Sequence, residues 1–342
     1  MKKHLIPIII FSIIILFFAN LIWGSVSIPI ESVFSIITGK TPEKSSWGFI
    51  ILESRLPQAI TAMFAGGALA ASGLLLQSVF NNPLAGPSIL GIDSGASLGV
   101  AIVILLGGGS LAVIEGLPFS SGYLALVVSA FIGASIILGL IIFFASIVKS
   151  NTMVLIIGIM VGYLTSAIIS ILNFFSNEQG VHAYTMWGMG DFSSVSLSKL
   201  PIFCIMISIG LLLSILLIKP LNALLLGERY AENLGINVKR IRIILLVATG
   251  ILTAITTAFC GPISFIGLAV PHISRLILKS SNQNILMPCT ILCGSSIALL
   301  CNFLSNWPGY SGIIPLNAIT PIIGAPIIIY VIVNQKRIQY FN

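Results

Sequence analysis

The chain has 342 residues, 57% of them hydrophobic and only 7% charged, with a mean hydropathy of +1.12. Soluble domains carry roughly 25% charged residues, so this composition excludes a fold dispersed in water and requires the bilayer as solvent. The net charge of +7 does not call for a nucleic-acid partner, because the basic residues are scattered at the ends of apolar runs, where topology and anionic lipids account for them.

Apolar runs near ~20 residues match the ~30 Å hydrocarbon core at 1.5 Å rise per residue. The pattern predicts an all-α polytopic membrane protein, a single transmembrane domain over residues 1–342 with about ten spans. The first, 5–23, is longer than a signal-peptide core and lacks a convincing A-x-A site after it, so it reads as a retained helix. The others fall at 56–78, 91–107, 122–147, 152–172, 199–218, 243–260, 262–278, 285–305 and 313–333. The third and eighth are short and interrupted by Gly and Pro. With the N-terminus in the cytoplasm, the inner side receives Lys2, Lys3, Lys149, Lys219, Arg229, Lys239, Arg240, Arg242, Arg275, Lys279, Lys336 and Arg337. The outer side receives Lys40, Lys44, Arg55 and Lys199. Twelve against four satisfies the positive-inside rule and places both termini and the 219–242 loop in the cytoplasm.

Within this layout, GKT at 39–41 invites a nucleotide-binding reading, but a P-loop needs Gly where Phe34 stands. No other Walker-like stretch occurs, so the chain does not hydrolyse ATP alone. The segments 80–95 (FNNPLAGPSILGIDSG) and 260–272 (CGPISFIGLAVPH) break the helical pattern at membrane depth. Irregular backbone survives there only under protein or in a water-filled cavity, and paired broken segments mark transport pathways. Asp93 opens the third span, and two roles fit it: a cap or backbone tie at the helix start, or a pathway-lining acid. Gly91, Gly95 and Gly99, with Gly158 and Gly162, form small stripes suited to close helix packing.

The histidines, His4, His182 and His272, have no metal-ligand spacing. His272 follows Pro271 and either bonds backbone groups freed by the broken helix or faces the pathway. The five cysteines lie in or beside apolar helices and read as small packing residues, Cys289 and Cys293 on one face. Residues 227–242, GERYAENLGINVKRIR, hold six charges in sixteen residues. The stretch 221–235 predicts one amphipathic helix of about three turns, with Leu226, Tyr230 and Leu234 in a stripe and Gly235 at its C′ position. It is too short to span, and its mixed charge favours a protein partner over a lipid surface.

RLPQAITAMFAGGALAASGLLLQSVFNNPLAGPSILGIDSGASLG (55–99) resembles the signature of FecCD-type permeases, the membrane subunits of binding-protein-dependent ABC importers for iron-siderophores, haem and cobalamin. MWGMGDFSSVS (186–196), GERYAENLGINV, GPISFIGLAVPHISRL (261–276) and PLNAITPIIGAPIIIYVI (315–332) match later blocks of that family in order. The resemblance implies ten helices, location in the bacterial cytoplasmic membrane, and a pathway along a dimer interface with a second permease copy or a paralogue. It implies two ATPase subunits that use ATP and Mg, an extracytoplasmic substrate-binding protein, and no cofactor on this chain. By resemblance, Gly227, Glu228, Ala231, Leu234 and Gly235 belong to the coupling helix held by the ATPase. Arg55 matches the arginine that docks the binding protein. Asn82 and Leu84 match one cytoplasmic gate, and Asn151 and Thr152 the other. The sequence departs from the family at Ile313, Ile314 and Pro315, where a Glu-Leu-Pro element is usual, and in CNFLSNW (301–307), which lacks the usual basic residue. Docking is thus left to Arg55 alone, or to Lys40 or Lys44.

The expected function is import of a metal chelate, a ferric siderophore or haem, by a mechanical cycle in which no residue of this chain makes or breaks a bond. A cobalamin importer is the nearer alternative. An ion-coupled carrier is the more distant one, for which only Asp93 supplies an intramembrane ionisable group.

Overall fold

The computed structural model describes residues 5–40, 44–107, 122–148, 150–307 and 312–334. Lys2, Lys3, His4, Thr41, Lys149, Lys336 and Arg337 lie outside them. Every regular element among the described residues is helical.

The chain opens with α1 (Leu5–Ile22) and two short pieces, α2 (Ile30–Ile37) and α3 (Ser45–Phe49). A π-helical turn (Ile50–Arg55) then feeds α4 (Leu56–Val79) without a break. After the first broken segment come α5 (Ile92–Leu106), α6 (Gly122–Ile147), α7 (Asn151–Phe175) and the short α8 (Glu178–Gly188). Then follow α9 (Leu200–Leu216), α10 (Ile218–Leu225), α11 (Glu228–Asn233) and α12 (Val238–Cys260). The second broken segment leads into α13 (Ile266–Leu278), α14 (Gln283–Ser305) and α15 (Leu316–Val333).

Among the described residues, seven helices are long and apolar enough to cross a bilayer, α9 and α10 form an eighth candidate bent by 46°, and α5 and α13 are shorter apolar helices. These correspond one to one with the ten expected spans. The third and eighth are short because α5 and α13 start only after the irregular broken segments. Three outcomes differ from expectation. The segments α2, α3 and α8 are helical, although they are too short for periodicity to reveal. The fifth span runs on to Phe175, and the seventh begins at Val238.

The core sits on α4. Its sequence, rich in Ala, Gly and Ser, leaves nearly all of the helix buried, packed by α14, α12, α13 and α9. Without a hydrophobic drive between helices in lipid, small residues allow the close approach that dispersion needs. The approach is closest at two crossings. A Cβ on Gly66 would overlap the Gly294 carbonyl of α14, and one on Gly73 would overlap the Gly267 carbonyl of α13. The predicted stripes also pack: Gly95 and Gly99 lie against Gly133 and Ser129 of α6, and Gly158 of α7 lies against Leu90. The large exposed side chains are outside, among them Ile132, Ile136 and Phe143 on α6, Leu164 and Ile171 on α7, and Ile205 and Ile209 on α9.

Candidate functional site

The charged segment is not one helix. Leu226 closes α10, and Gly227, at φ 107° and ψ 150°, takes a backbone conformation outside the helical region. The helix restarts at Glu228. It ends as the sequence anticipates, with Gly235 at φ 80°. The Gly235 amide donates to Glu232 O (2.9 Å) and the Ile236 amide to Ala231 O (3.1 Å), the two bonds of a Schellman cap. Ala231 is fully buried in a small cluster with Ala223, Val238, Leu224 and Ile236. Arg242 donates to Glu228 Oε1 at 2.7 Å and ties α11 to the first turns of α12.

The predicted stripe faces outward. Leu226, Tyr230 and Leu234 are 65%, 49% and 59% exposed, while the small Ala231 faces the bundle. Three apolar side chains are held out of the protein beside exposed Glu228, Arg229 and Glu232.

This surface is joined to the bundle by polar contacts that sequence reasoning missed. Asn222 of α10 accepts from the Gln283 amide (2.8 Å), and Gln283 Nε2 donates to Ser78 Oγ of α4 (3.2 Å). One residue earlier on α4, Gln77 Oε1 accepts from Arg275 of α13 (2.5 Å), and Gln77 Nε2 donates to Leu268 O (3.2 Å). Gln77, Arg275 and Gln283 are all buried, where a charge-assisted hydrogen bond holds most firmly. Displacement of α10 thus reaches α4, α13 and α14 through side chains of fixed geometry.

The two broken segments meet. Gly86, Pro87 and Ser88 of the first and Ile263, Ser264 and Phe265 of the second line a shared cavity of about 220 Å³. His272 donates from Nε2 to Pro83 O (2.7 Å), which is the first of the two roles that fit it. Asp93 does not take the capping role. It lies one residue inside α5 and makes no cap to the helix backbone. Its carboxylate instead accepts from Ser88 Oγ (2.7 Å) and Thr257 Oγ1 of α12 (2.8 Å). Asn82 Oδ1 accepts from the Leu84 amide (2.9 Å), a turn that pushes Leu84 out to 42% exposure. Asn151 opens α7, Thr152 after it is exposed, and Ser150 caps the helix by accepting from the Met153 amide. Among the described residues no hydrogen bond links Thr152 to Asn82 or Leu84.

At the opposite end of the bundle Arg55 departs from its expected place. It is only 7% exposed. Its guanidinium donates to Leu21 O and Ile22 O (2.9 Å each) and to Val26 O, capping the carbonyls at the end of α1. Its charge is turned toward the bundle's own backbone. The reason is local: the π-helical turn rotates Arg55 beneath the loop after α1, and Gly24 leaves room for it. Beside it a polar cavity of about 60 Å³ is lined by Asn20, Gln58, Asn302 and Asn306. Lys40 and Lys44 at this end are exposed, the latter 4.9 Å over the Trp47 ring.

The sequence matches the FecCD transport family over residues 12–334. The chain belongs to the FecCD transport family. It is 32% identical, over 84% of its length and 83% of the relative's, to the vitamin B12 import system permease protein BtuC of Klebsiella pneumoniae. A second relative, the vitamin B12 import system permease protein BtuC of Serratia proteamaculans, is 30% identical over 94% of both chains. Among solved structures, an inward-facing metal-chelate type ABC transporter superposes with a TM-score of 0.80 at 29% identity, covering 96% of this chain and 99% of that one. This FecCD chain is accordingly a multi-pass membrane permease of the ABC-importer type. Its exposed α10–α11 surface, its buried polar links and its paired broken segments belong to a transport subunit.

Proposed function

We propose that this permease imports a metal chelate, a ferric siderophore or haem, as half of a dimeric pathway driven by a partner ATPase. The observation that carries the reading is the α10–α11 element: a capped short helix with Leu226, Tyr230 and Leu234 held outward and a buried polar connection behind it. In this reading Gly227, Glu228, Leu234 and Gly235 shape the surface that the ATPase holds, and Ala231 seats it on the bundle. The basic end of the bundle faces the cytoplasm, as the positive-inside rule requires. Asn82, Leu84, Asn151 and Thr152 lie at that end as gate residues. Lys40 and Lys44 replace Arg55 as docking cations for the extracytoplasmic binding protein. ATP binding moves α10 and α11, and the bundle exchanges outer for inner access between two discrete packings.

A cobalamin cargo is the second reading, favoured by the names of the two permease relatives. Reconstitution in liposomes with the partner ATPase and binding protein tests both. Uptake of a ferric siderophore or haem that requires ATP is the expected result. ATP-driven uptake of cyanocobalamin with none of the iron chelates would move the assignment to the second reading. Uptake under a proton gradient without ATPase would overturn the ABC mechanism.

A further inference from the structure

Phe265 is one of three non-glycine residues with positive φ among those described. At φ 67° and ψ −30° it forms the centre of a γ-turn, in which the Ile266 amide donates to Ser264 O at 2.9 Å. The γ-turn of positive φ is the rarer and more strained of the two forms. A phenylalanine there is disfavoured by about tenfold or more against the ordinary regions. Such a conformation persists only where its surroundings over-determine it.

Asn317, in the first turn of α15, supplies that restraint. Its Oδ1 accepts from the Ser264 amide at 3.0 Å. Its Nδ2 donates to Pro262 O at 2.7 Å and to Gly188 O at 3.0 Å. Its backbone amide donates to Met189 O at 3.2 Å. Both amide hydrogens and the amide oxygen are thus spent on joining α15 to the second broken segment and to the end of α8. Phe265 forms part of the wall of the 220 Å³ cavity shared with the first broken segment. On its other side it fits a notch in α15, where a Cβ on Gly324 would come within 2.9 Å of Phe265 Cβ. The strained turn therefore has both a clamp and, on the cavity side, space into which it can relax.

We propose that Asn317 is a positioning residue of the transport cycle: it latches Phe265 in the strained γ-turn, and opening of this latch releases α13 from α15 when the pathway changes access. The strain and the three side-chain bonds oppose each other, which makes the junction two-state and sensitive to small displacements of α15. The proposal rests on the reading of this chain as an alternating-access permease.

The test uses the complete transporter in nanodiscs, with its ATPase and binding protein. Hydrogen exchange at the Ile266 amide, measured without ATP or cargo, is expected to rise about tenfold in Asn317→Ala. It should rise less in Asn317→Asp, which keeps the acceptor for Ser264 and loses both donors. Cargo moved per ATP should fall in Asn317→Ala. It should recover in Asn317→Ala/Phe265→Gly, because a glycine turn needs no latch. A purely architectural asparagine predicts the opposite, a double variant at least as impaired as the single one. Unchanged Ile266 exchange in Asn317→Ala, or a double variant no better than the single, overturns the proposal. If Asn317→Ala does not fold, Phe265→Gly alone decides: strain relief should slow release and lower transport per ATP while binding-protein docking is kept, and unchanged coupling refutes the latch. Wild-type assemblies that move no cargo would instead refute the transport reading, independently of the exchange result.

Discussion

Gly235 offers a measurement in which backbone strain can be read without interference from packing. It sits at φ 80°, and a Cβ built on it meets nothing within 4 Å. Any cost of substitution therefore comes from the left-handed backbone alone, about 1 kcal/mol for alanine and about 2 kcal/mol or more for the β-branched valine. The six-residue α11 cannot hold itself against that cost, since isolated turns are far below the length at which helices persist. The loss should pass directly into the population of α11 that a partner can bind. At 1.4 kcal/mol per tenfold, ATPase affinity should fall about fivefold in Gly235→Ala and about thirtyfold in Gly235→Val. Gly235→Asn should stay close to wild type, because asparagine tolerates the left-handed region. Titration of the purified ATPase against the permease in nanodiscs reads all three. Equal losses for Asn and Val, or none for Val, would refute both the strain argument and the role of α11 in binding.

Three further outcomes follow from the same geometry. Arg55→Ala should lower the melting temperature of the detergent-solubilised permease, since each charge-assisted bond to the α1 carbonyls contributes about 1.5–3 kcal/mol; binding-protein affinity at low salt should hold in Arg55→Lys and fall in Lys40→Glu/Lys44→Glu, as surface plasmon resonance will report. Gly73→Ala, which forces a methyl onto the Gly267 carbonyl, should destabilise by about 1–3 kcal/mol, while Gly139→Ala, with nothing within 4 Å, should melt like wild type in the same scan. The Glu228–Arg242 pair is half open to solvent on the Glu228 side and should contribute less than about 1 kcal/mol to stability; if Glu228→Gln weakens ATPase binding more than thermal denaturation predicts, Glu228 touches the partner directly.

What sequence reading recovered was whatever a one-dimensional pattern carries. The ten spans follow from run length. The shortness of the third and eighth follows from Pro83, Pro87, Gly261 and Pro262, and the end of α11 follows from Gly235. The break at Gly227 was legible in principle, because a glycine preceding an acidic first turn can separate two helices as well as continue one. Other features depend on partners distant in the chain. Asn317 earns its position from Ser264, Pro262 and Gly188, 53 to 129 residues away, and nothing in PLNAITP announces them. Arg55 looked like an exposed cation because its span begins there. Only the π-helical turn, which no periodicity predicts, puts it under the α1 carbonyls. Asp93 was identified as the costly acid but not its donors, since Thr257 lies 164 residues on.

The burial of α4 also divides the molecule mechanically. A helix locked to α14 and α13 at glycine crossings with no spare space cannot slide or roll without opening a void on one side and a clash on the other. It is a stator. Rearrangement must then fall to helices whose outward faces are free, above all α7 and α15. Spectroscopic rulers anchored on α4, with their mobile ends on those two helices, would record the stroke itself rather than the drift of the whole subunit.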